Sequence, residues 1–92
     1  MVDPALPGAE LIESGLNDLR EQRETVEALL VAIGEPRLRR IGLDLPPIPY
    51  KNPEHRLYDL LEANDPEGAH SRYNALIRRL VSFERAAECV TE

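Results

Sequence analysis

The stretch that decides the fold covers residues 73–90 and reads YNALIRRLVSFERAAECV. Its apolar side chains recur at steps of three and four residues, the spacing that places them on one face of an α-helix. The members of this seam are Tyr73, Leu76, Leu80, Phe83, Ala87 and Val90. Asp65-Pro66-Glu67 supplies a start signal, because Pro at the first helical position loses no hydrogen bond. Together these features predict a long helix over residues 66–90.

A second long helix is predicted over residues 9–33. Its seam consists of Ile12, Leu16, Leu19, Val26, Leu30 and Ile33. The seam has one gap, which Arg23 fills. Gly34 is expected to cap this helix, and Pro36 follows where continuation is disfavoured. Because the two long helices match in length, we expect them to pack as an antiparallel hairpin.

A Pro-rich connection and one short helix join the two long helices. The connection covers residues 35–52, and the prolines at 46, 47 and 49 favour an extended, polyproline-like backbone. Asn52-Pro53-Glu54 repeats the start signal and predicts a short helix over residues 53–63. We therefore expect a single all-α domain over residues 1–92.

The apolar faces of the two long helices are wider than one partner helix needs. Ile77 and Val81 widen the seam of the last helix, and Leu11 and Leu29 widen that of the first. One short extra helix cannot cover both flanks, so we expect a homodimer or higher homo-oligomer that completes a four-helix-type bundle. The alternative is a monomer in which the short helix covers Ile77 and Val81.

Composition and charge limit the classes of function. The chain has 17 Asp and Glu against 11 Lys and Arg, and its net charge of −6 argues against generic attraction to nucleic acid or anionic lipid. The sequence begins without the basic and apolar regions of a signal peptide, and it has no apolar run long enough to cross a membrane. Cys89 is the single cysteine, which favours a reducing, cytoplasmic setting.

No catalytic or cofactor-binding motif is recognisable in the sequence. It has neither a G-x-S-x-G nucleophile elbow nor a glycine-rich phosphate loop. Glu67 and His70 have the E-x-x-H spacing of di-iron bundles, but such a site needs a second pair and further inward carboxylates. A metal-binding bundle is therefore the least favoured alternative. His55 and Asp59 are interpreted as a surface pair, and we expect a non-catalytic protein without a cofactor.

Arginine positions suggest how a partner is contacted. Arg78 and Arg85 share the outward face of the predicted last helix. Arg23 interrupts the first seam, so its guanidinium is expected either to pair with Glu84 or Glu88 or to extend into solvent. The candidate partner-binding residues are Ile77, Val81, Arg78, Arg85 and Arg23. We expect an interaction or regulatory module, or a small subunit of a larger assembly.

A second group of arginines supports an alternative function. Arg37, Arg39 and Arg40 follow the first predicted helix, and with Arg79 they form candidate phosphate contacts of a nucleic-acid-associated small subunit. The net charge, the single lysine and the lack of interleaved aromatic residues oppose this alternative. A protein partner with an acidic surface explains the same arginines, because guanidinium groups pair with carboxylates as well as with phosphates.

Overall fold

The computed structural model describes residues 2–91, which contain five helices and no strand. The helices are α1 (Ala9–Arg20), α2 (Val26–Ile33), α3 (Glu35–Arg40), α4 (Pro53–Asn64) and α5 (Ala69–Thr91). The predicted all-α class is confirmed. Within the described residues, none of these helices combines the length and the apolar character that crossing a bilayer requires.

The single helix predicted over residues 9–33 is wrong, because the chain reverses direction between α1 and α2. Gln22 adopts a left-handed backbone with a φ of 60°. The N–H of Arg23 donates to the carbonyl oxygen of Asp18 over 2.8 Å, which closes the end of α1. Thr25 is extended, and its side-chain oxygen accepts a hydrogen bond from the N–H of Ala28 over 3.1 Å, so it caps α2.

The two segments of the predicted first helix form a tight helical hairpin. Gly15 of α1 is buried, and a Cβ atom there would lie 2.4 Å from both the carbonyl oxygen of Glu27 and Cγ2 of Val31 in α2. Only glycine permits so close an approach of two backbones. Since α1 packs mainly against α2, the predicted hairpin of two long helices is not confirmed.

The centre of the core is α2. Residues 28–32 are all buried, and the helix contacts α1, α4 and α5. A helix that is apolar around most of its circumference has to be enclosed by other elements. Leu57 and Leu61 of α4 and Leu80 and Phe83 of α5 belong to the same buried cluster. The run of apolar residues in the middle of the predicted first helix is therefore a separate, central helix.

The Pro-rich connection is shorter than predicted. Residues 35–40 form α3 instead of extended backbone, because Pro36 lies in the first turn, where its missing N–H costs nothing. Residues 43–50 are irregular, and Leu45 anchors them by burying its side chain. The predicted short helix agrees with α4 to within one residue at its C-terminal end.

The last helix begins three residues later than predicted. The Asp65 side chain accepts a hydrogen bond from the N–H of Gly68 over 3.1 Å, so it stabilises the turn after α4 instead of capping a helix that starts at Pro66. Asn52 precedes α4 as predicted, but its side chain makes no capping hydrogen bond. The two start signals thus predict where α4 and α5 begin to within one turn. The Asp65 side chain forms its hydrogen bond within the turn before α5, whereas the Asn52 side chain does not cap α4.

The apolar flanks that suggested self-association are largely covered within the chain. Leu29 is fully buried, and Leu11 and Ile77 pack against the core with part of their surface exposed. Val81 is half-buried, and Val90, at 67%, is the large hydrophobic residue of the described part that remains exposed. Splitting the first helix gives the chain an additional packing element, so surplus apolar surface no longer argues for a second copy.

Candidate interaction surface

The outward side of α5 carries a row of arginines. Leu80, Phe83 and Ala87 are buried, so the opposite side of the helix faces solvent. We define the basic face of α5 as its four exposed arginines, Arg72, Arg78, Arg79 and Arg85. Residues 69–83 contain no Asp or Glu. The positive charge of this part of the helix is therefore not offset by acidic residues of the helix itself.

Most of these four guanidinium groups form no ion pair within the described part of the chain, so they are available to a partner. The side chains of Arg72 and Arg78 make no hydrogen bond or ion pair within residues 2–91. Arg79 pairs with Glu10 and so connects α5 to α1. Arg85 has no ion pair in the described part of the chain. Its charge does help to lower the pKa of Glu88, after the larger effect of the hydrogen bond from Arg37.

A shallow groove runs alongside Arg78. Its lining residues are Pro7, Gly8, Ala75, Arg78, Arg79 and Ser82. Ala75 and Ser82 are exposed and have short side chains. Because no bulky side chain stands between them, a partner can bring its own side chains or backbone close to the Arg78 guanidinium.

The structure distributes the predicted partner-binding residues unevenly. Arg78 and Arg85 are exposed, on the outward side of α5 where the sequence placed them. Ile77 and Val81 are each half-buried, and Ile77 packs against the core. The apolar flank therefore supplies only the edges of these two side chains, and the surface that is available to a partner is predominantly basic.

Arg23 does not make the interhelical contact that the sequence suggested. It lies in the turn after α1 with 56% of its side chain exposed, and it pairs with Asp18 over 2.8 Å and also with Glu21. The pKa of Asp18 is lowered first by the hydrogen bond from Thr25 and then by that from Arg23. The expectation that Arg23 reaches Glu84 or Glu88 is wrong. It assumed one continuous helix over residues 9–33, whereas α1 ends at Arg20 and Arg23 lies in the turn that follows.

Arg37 makes the long-range ion pairs expected of Arg23. Its Nη1 lies 3.3 Å from Oε1 of Glu84, and its Nε donates to Glu88. Burial raises the pKa of Glu84, and the positive charge of Arg37 opposes this shift. The proposed phosphate contact at Arg37 is therefore already occupied by two carboxylates of α5.

The neighbouring arginines of α3 do not form a free cluster either. Arg39 pairs with Glu35 over 3.1 Å and donates to the carbonyl oxygens of Leu45 and Pro46, each over 3.0 Å. These bonds fix the irregular segment after α3. Arg40 is exposed, and its charge contributes to the lowered pKa of Glu88, after the larger effect of Arg37.

The two histidines lie on the surface. Glu67 and His70 are both exposed, and within residues 2–91 no group of three His, Cys, Asp or Glu side chains is arranged to hold a metal ion. The Nε2 atom of His70 lies 3.2 Å from Nδ2 of Asn74. His55 lies 3.3 Å from Asp59, which agrees with the interpretation of a surface pair.

Two aromatic contacts were not predicted from the sequence. The rings of Tyr58 and Tyr73 are 5.7 Å apart and join α4 to α5. The Arg56 guanidinium lies 5.1 Å from the centre of the Tyr50 ring and also binds Glu24. Tyr58 and Tyr73 lie on different helices, and Glu24 lies 32 positions from Arg56, so the helical repeat of the sequence does not indicate these contacts.

Comparison with known proteins gives no related protein whose surface could be compared with this one. No family model matches the chain, and searches of curated proteins and of solved structures returned no match. The geometry itself brings Arg78 and Arg85 together on one exposed face. Arg23, Arg37 and Arg39 are instead paired with carboxylates, and those of Arg37 are Glu84 and Glu88 of α5 itself.

Proposed function

We propose that this chain is a non-catalytic interaction module, or a small subunit of a larger assembly, that binds an acidic protein surface through the basic face of α5. The observation that carries the proposal is the exposure of Arg78, without a partner among the described residues, in a chain of net charge −6. Most other arginines of this acidic chain are paired with carboxylates inside the molecule. They are Arg23, Arg37, Arg39, Arg56 and Arg79.

The chemistry of the basic face supports an acidic protein as the partner. A guanidinium group presents a planar fork of donors that fits a carboxylate with two parallel hydrogen bonds. Arg78 and Arg85 are seven residues apart, so they lie two helical turns from each other on one side of α5. A partner helix with two acidic residues at the same spacing would meet both groups. Such a module has no reaction of its own and would act by regulating the partner.

A cytoplasmic location belongs to the same proposal. Cys89 is exposed and is a free thiol. Exposed single thiols persist where the surroundings are reducing, as in the cytoplasm, and are prone to intermolecular oxidation elsewhere.

Affinity isolation with matched variants tests the function. The test variant is Arg78→Glu/Arg85→Glu, and the control is Arg20→Glu/Lys51→Glu, which changes the net charge equally at exposed positions outside α5. After nuclease treatment, we expect acidic proteins that the wild type and the control retain and the test variant loses. Equal retention by all three proteins would contradict the proposal.

The alternative function, nucleic-acid association, is favoured by the same unpaired Arg72 and Arg78. It is opposed by the carboxylate partners that occupy Arg37, Arg39 and Arg79. A mobility-shift titration at low and moderate salt separates the two functions. Phosphate contacts give an affinity that falls steeply with salt. We expect no shift even at low salt, and a shift that Arg78→Glu/Arg85→Glu abolishes would favour the alternative.

A further inference from the structure

We infer that a second copy of this chain is the partner of the basic face, and that its residues 59–67 are the part that binds there. The inference rests on the proposed function, because it assigns the occupant of the same surface. It is argued from the charges that the molecule leaves exposed, and it does not depend on surplus apolar surface.

Residues 59–67, which we call the acidic segment, contain four acidic residues and no basic residue. The four acidic residues are Asp59, Glu62, Asp65 and Glu67, and all are exposed. The side chains of Glu62 and Glu67 make no hydrogen bond or ion pair within the part of the chain that the structure describes. Glu62 and Glu67 therefore supply unpaired negative charge in a molecule that also has unpaired positive charge at Arg78.

The connection between α4 and α5 places the acidic segment at one end of α5, and Arg78 and Arg85 lie farther along the same helix. The acidic segment comprises the end of α4 and the turn that precedes α5, so it lies at the N-terminal end of α5. Arg78 and Arg85 lie in the middle and the C-terminal half of the same helix. If two copies align their α5 helices antiparallel about a two-fold axis, the acidic end of each copy meets the basic end of the other. Both contacts form at once, as a closed dimer requires.

The dimensions and the intervening side chains suit this arrangement. Arg78 and Arg85 are about 10 Å apart along the helix axis. The 23 residues of α5 extend over about 35 Å, close to the longest dimension of the molecule, 40 Å. Between the acidic segment and Arg78, the side of α5 that carries Arg78 presents Ser71, Asn74 and Ala75, which are exposed, uncharged and short. The exposed Arg72 lies in the same stretch but about 120° around the helix from Arg78. The two-fold axis would pass beside the three uncharged residues.

A charge-swap experiment by sedimentation equilibrium tests the inference. We expect the wild type to form a dimer that weakens as salt is raised, since exposed charges are screened. Arg78→Glu/Arg85→Glu and Glu62→Arg/Glu67→Arg should each weaken the dimer by at least about tenfold. An equimolar mixture of these two variants should dimerise again, because both contacts of the mixed dimer then join opposite charges.

Matched controls separate a specific contact from a change of net charge. Arg20→Glu/Lys51→Glu and Glu13→Arg/Asp44→Arg alter exposed residues outside the two surfaces by the same amounts, and they should leave the dimer of the wild type intact. A wild type that stays monomeric, or variants whose mixture does not dimerise, would overturn the inference. A monomeric wild type that still retains acidic proteins through Arg78 and Arg85 would overturn only the second copy as partner and leave the proposed function standing.

Discussion

The Nη1 atom of Arg37 lies 3.3 Å from Oε1 of Glu84, and this ion pair joins α3 to α5. Only 6% of the Glu84 side chain is exposed. Its other carboxylate oxygen, Oε2, lies 3.0 Å from the position that a Cβ atom would have at Gly34. The carboxylate is thus enclosed at the junction of α2 and α3, where Arg37 is its ionic partner.

Removing Arg37 should leave Glu84 as an uncompensated buried carboxylate. We expect Arg37→Met to lower the free energy of unfolding by about 1–3 kcal/mol, the cost of leaving a buried polar group without its partner. Glu84→Gln in the same background should recover part of this loss, because the uncompensated charge is gone. Urea denaturation of the wild type, both single variants and the double variant measures the coupling. Strictly additive effects would show that the ion pair contributes nothing.

The pH dependence of stability should report the environment of Glu84. Burial raises the pKa of Glu84 above its usual value of 4.5, against the opposing charge of Arg37. The folded state therefore favours the protonated form, and this contribution is present below pH 4.5 and is lost as the pH rises through the raised pKa. The Glu84→Gln variant has no carboxyl group at this position, so its stability does not lose this contribution as the pH rises. We expect the stability of this variant, relative to the wild type, to increase from about pH 4 to about pH 7. A difference that is independent of pH would contradict the expectation.

Asp18 should give the opposite pH dependence. Hydrogen bonds from Thr25 and then Arg23 lower its pKa below the usual 3.8. This stabilisation is present above pH 3.8 and is lost as the pH falls through the lowered pKa. Asp18→Asn should therefore be less stable than the wild type near neutral pH, and the two proteins should converge in acid. Urea midpoints measured across this range check the sign.

The close approach of α1 to α2 should make Gly15 intolerant of any side chain. A Cβ atom there meets backbone, which cannot move aside as the tip of a flexible side chain could. We expect Gly15→Ala to destabilise the protein by about 1–3 kcal/mol, as overpacking of a close contact does. Ser14→Ala is the control at an exposed neighbouring position and should change the free energy of unfolding by less than about 0.5 kcal/mol. Equal effects of the two substitutions would exclude a special role for Gly15.

The cap at Thr25 should determine where α2 begins. Its hydroxyl accepts a hydrogen bond from the N–H of Ala28 and donates to Oδ2 of Asp18 over 2.6 Å. We expect Thr25→Ala to cost about 1–2 kcal/mol, and Thr25→Ser, which keeps the hydroxyl, to cost much less. Thermal or urea denaturation distinguishes the two variants, and identical losses would mean that the methyl group and not the hydroxyl matters.

The periodicity of α5 and the start signal of α4 could be read from the sequence because both depend on local rules. Seam positions from Tyr73 to Ala87 face the interior through the 3.6-residue repeat, and Pro53 begins α4 through its own fixed backbone angle. Arg78 and Arg85 were placed on the exposed side by the same repeat. These features need no knowledge of the rest of the chain.

The reversal between α1 and α2 could not be read in the same way. Apolar positions on both sides of Arg23 continue one heptad register, so the pattern favours an unbroken helix. Gln22 is not a residue type that indicates a left-handed backbone, and the cap at Thr25 lies inside the expected helix. The choice of Arg37 as the partner of Glu84 then depends on the tertiary path of the chain. Pro36, read as a helix start instead of a stop, was the one local signal for α3.

The reversal at Gln22 also has a consequence for the order in which the chain assembles. Residues 9–33 contact one another across a five-residue turn, so their contacts require only short loops to close, and loops of this kind form rapidly. The pairs that attach α3 to α5 join residues 47 and 51 positions apart and have to wait for a much longer loop. We expect the α1–α2 hairpin to be the first part of the chain to become structured, with α2 then serving as the surface on which α4 and α5 condense.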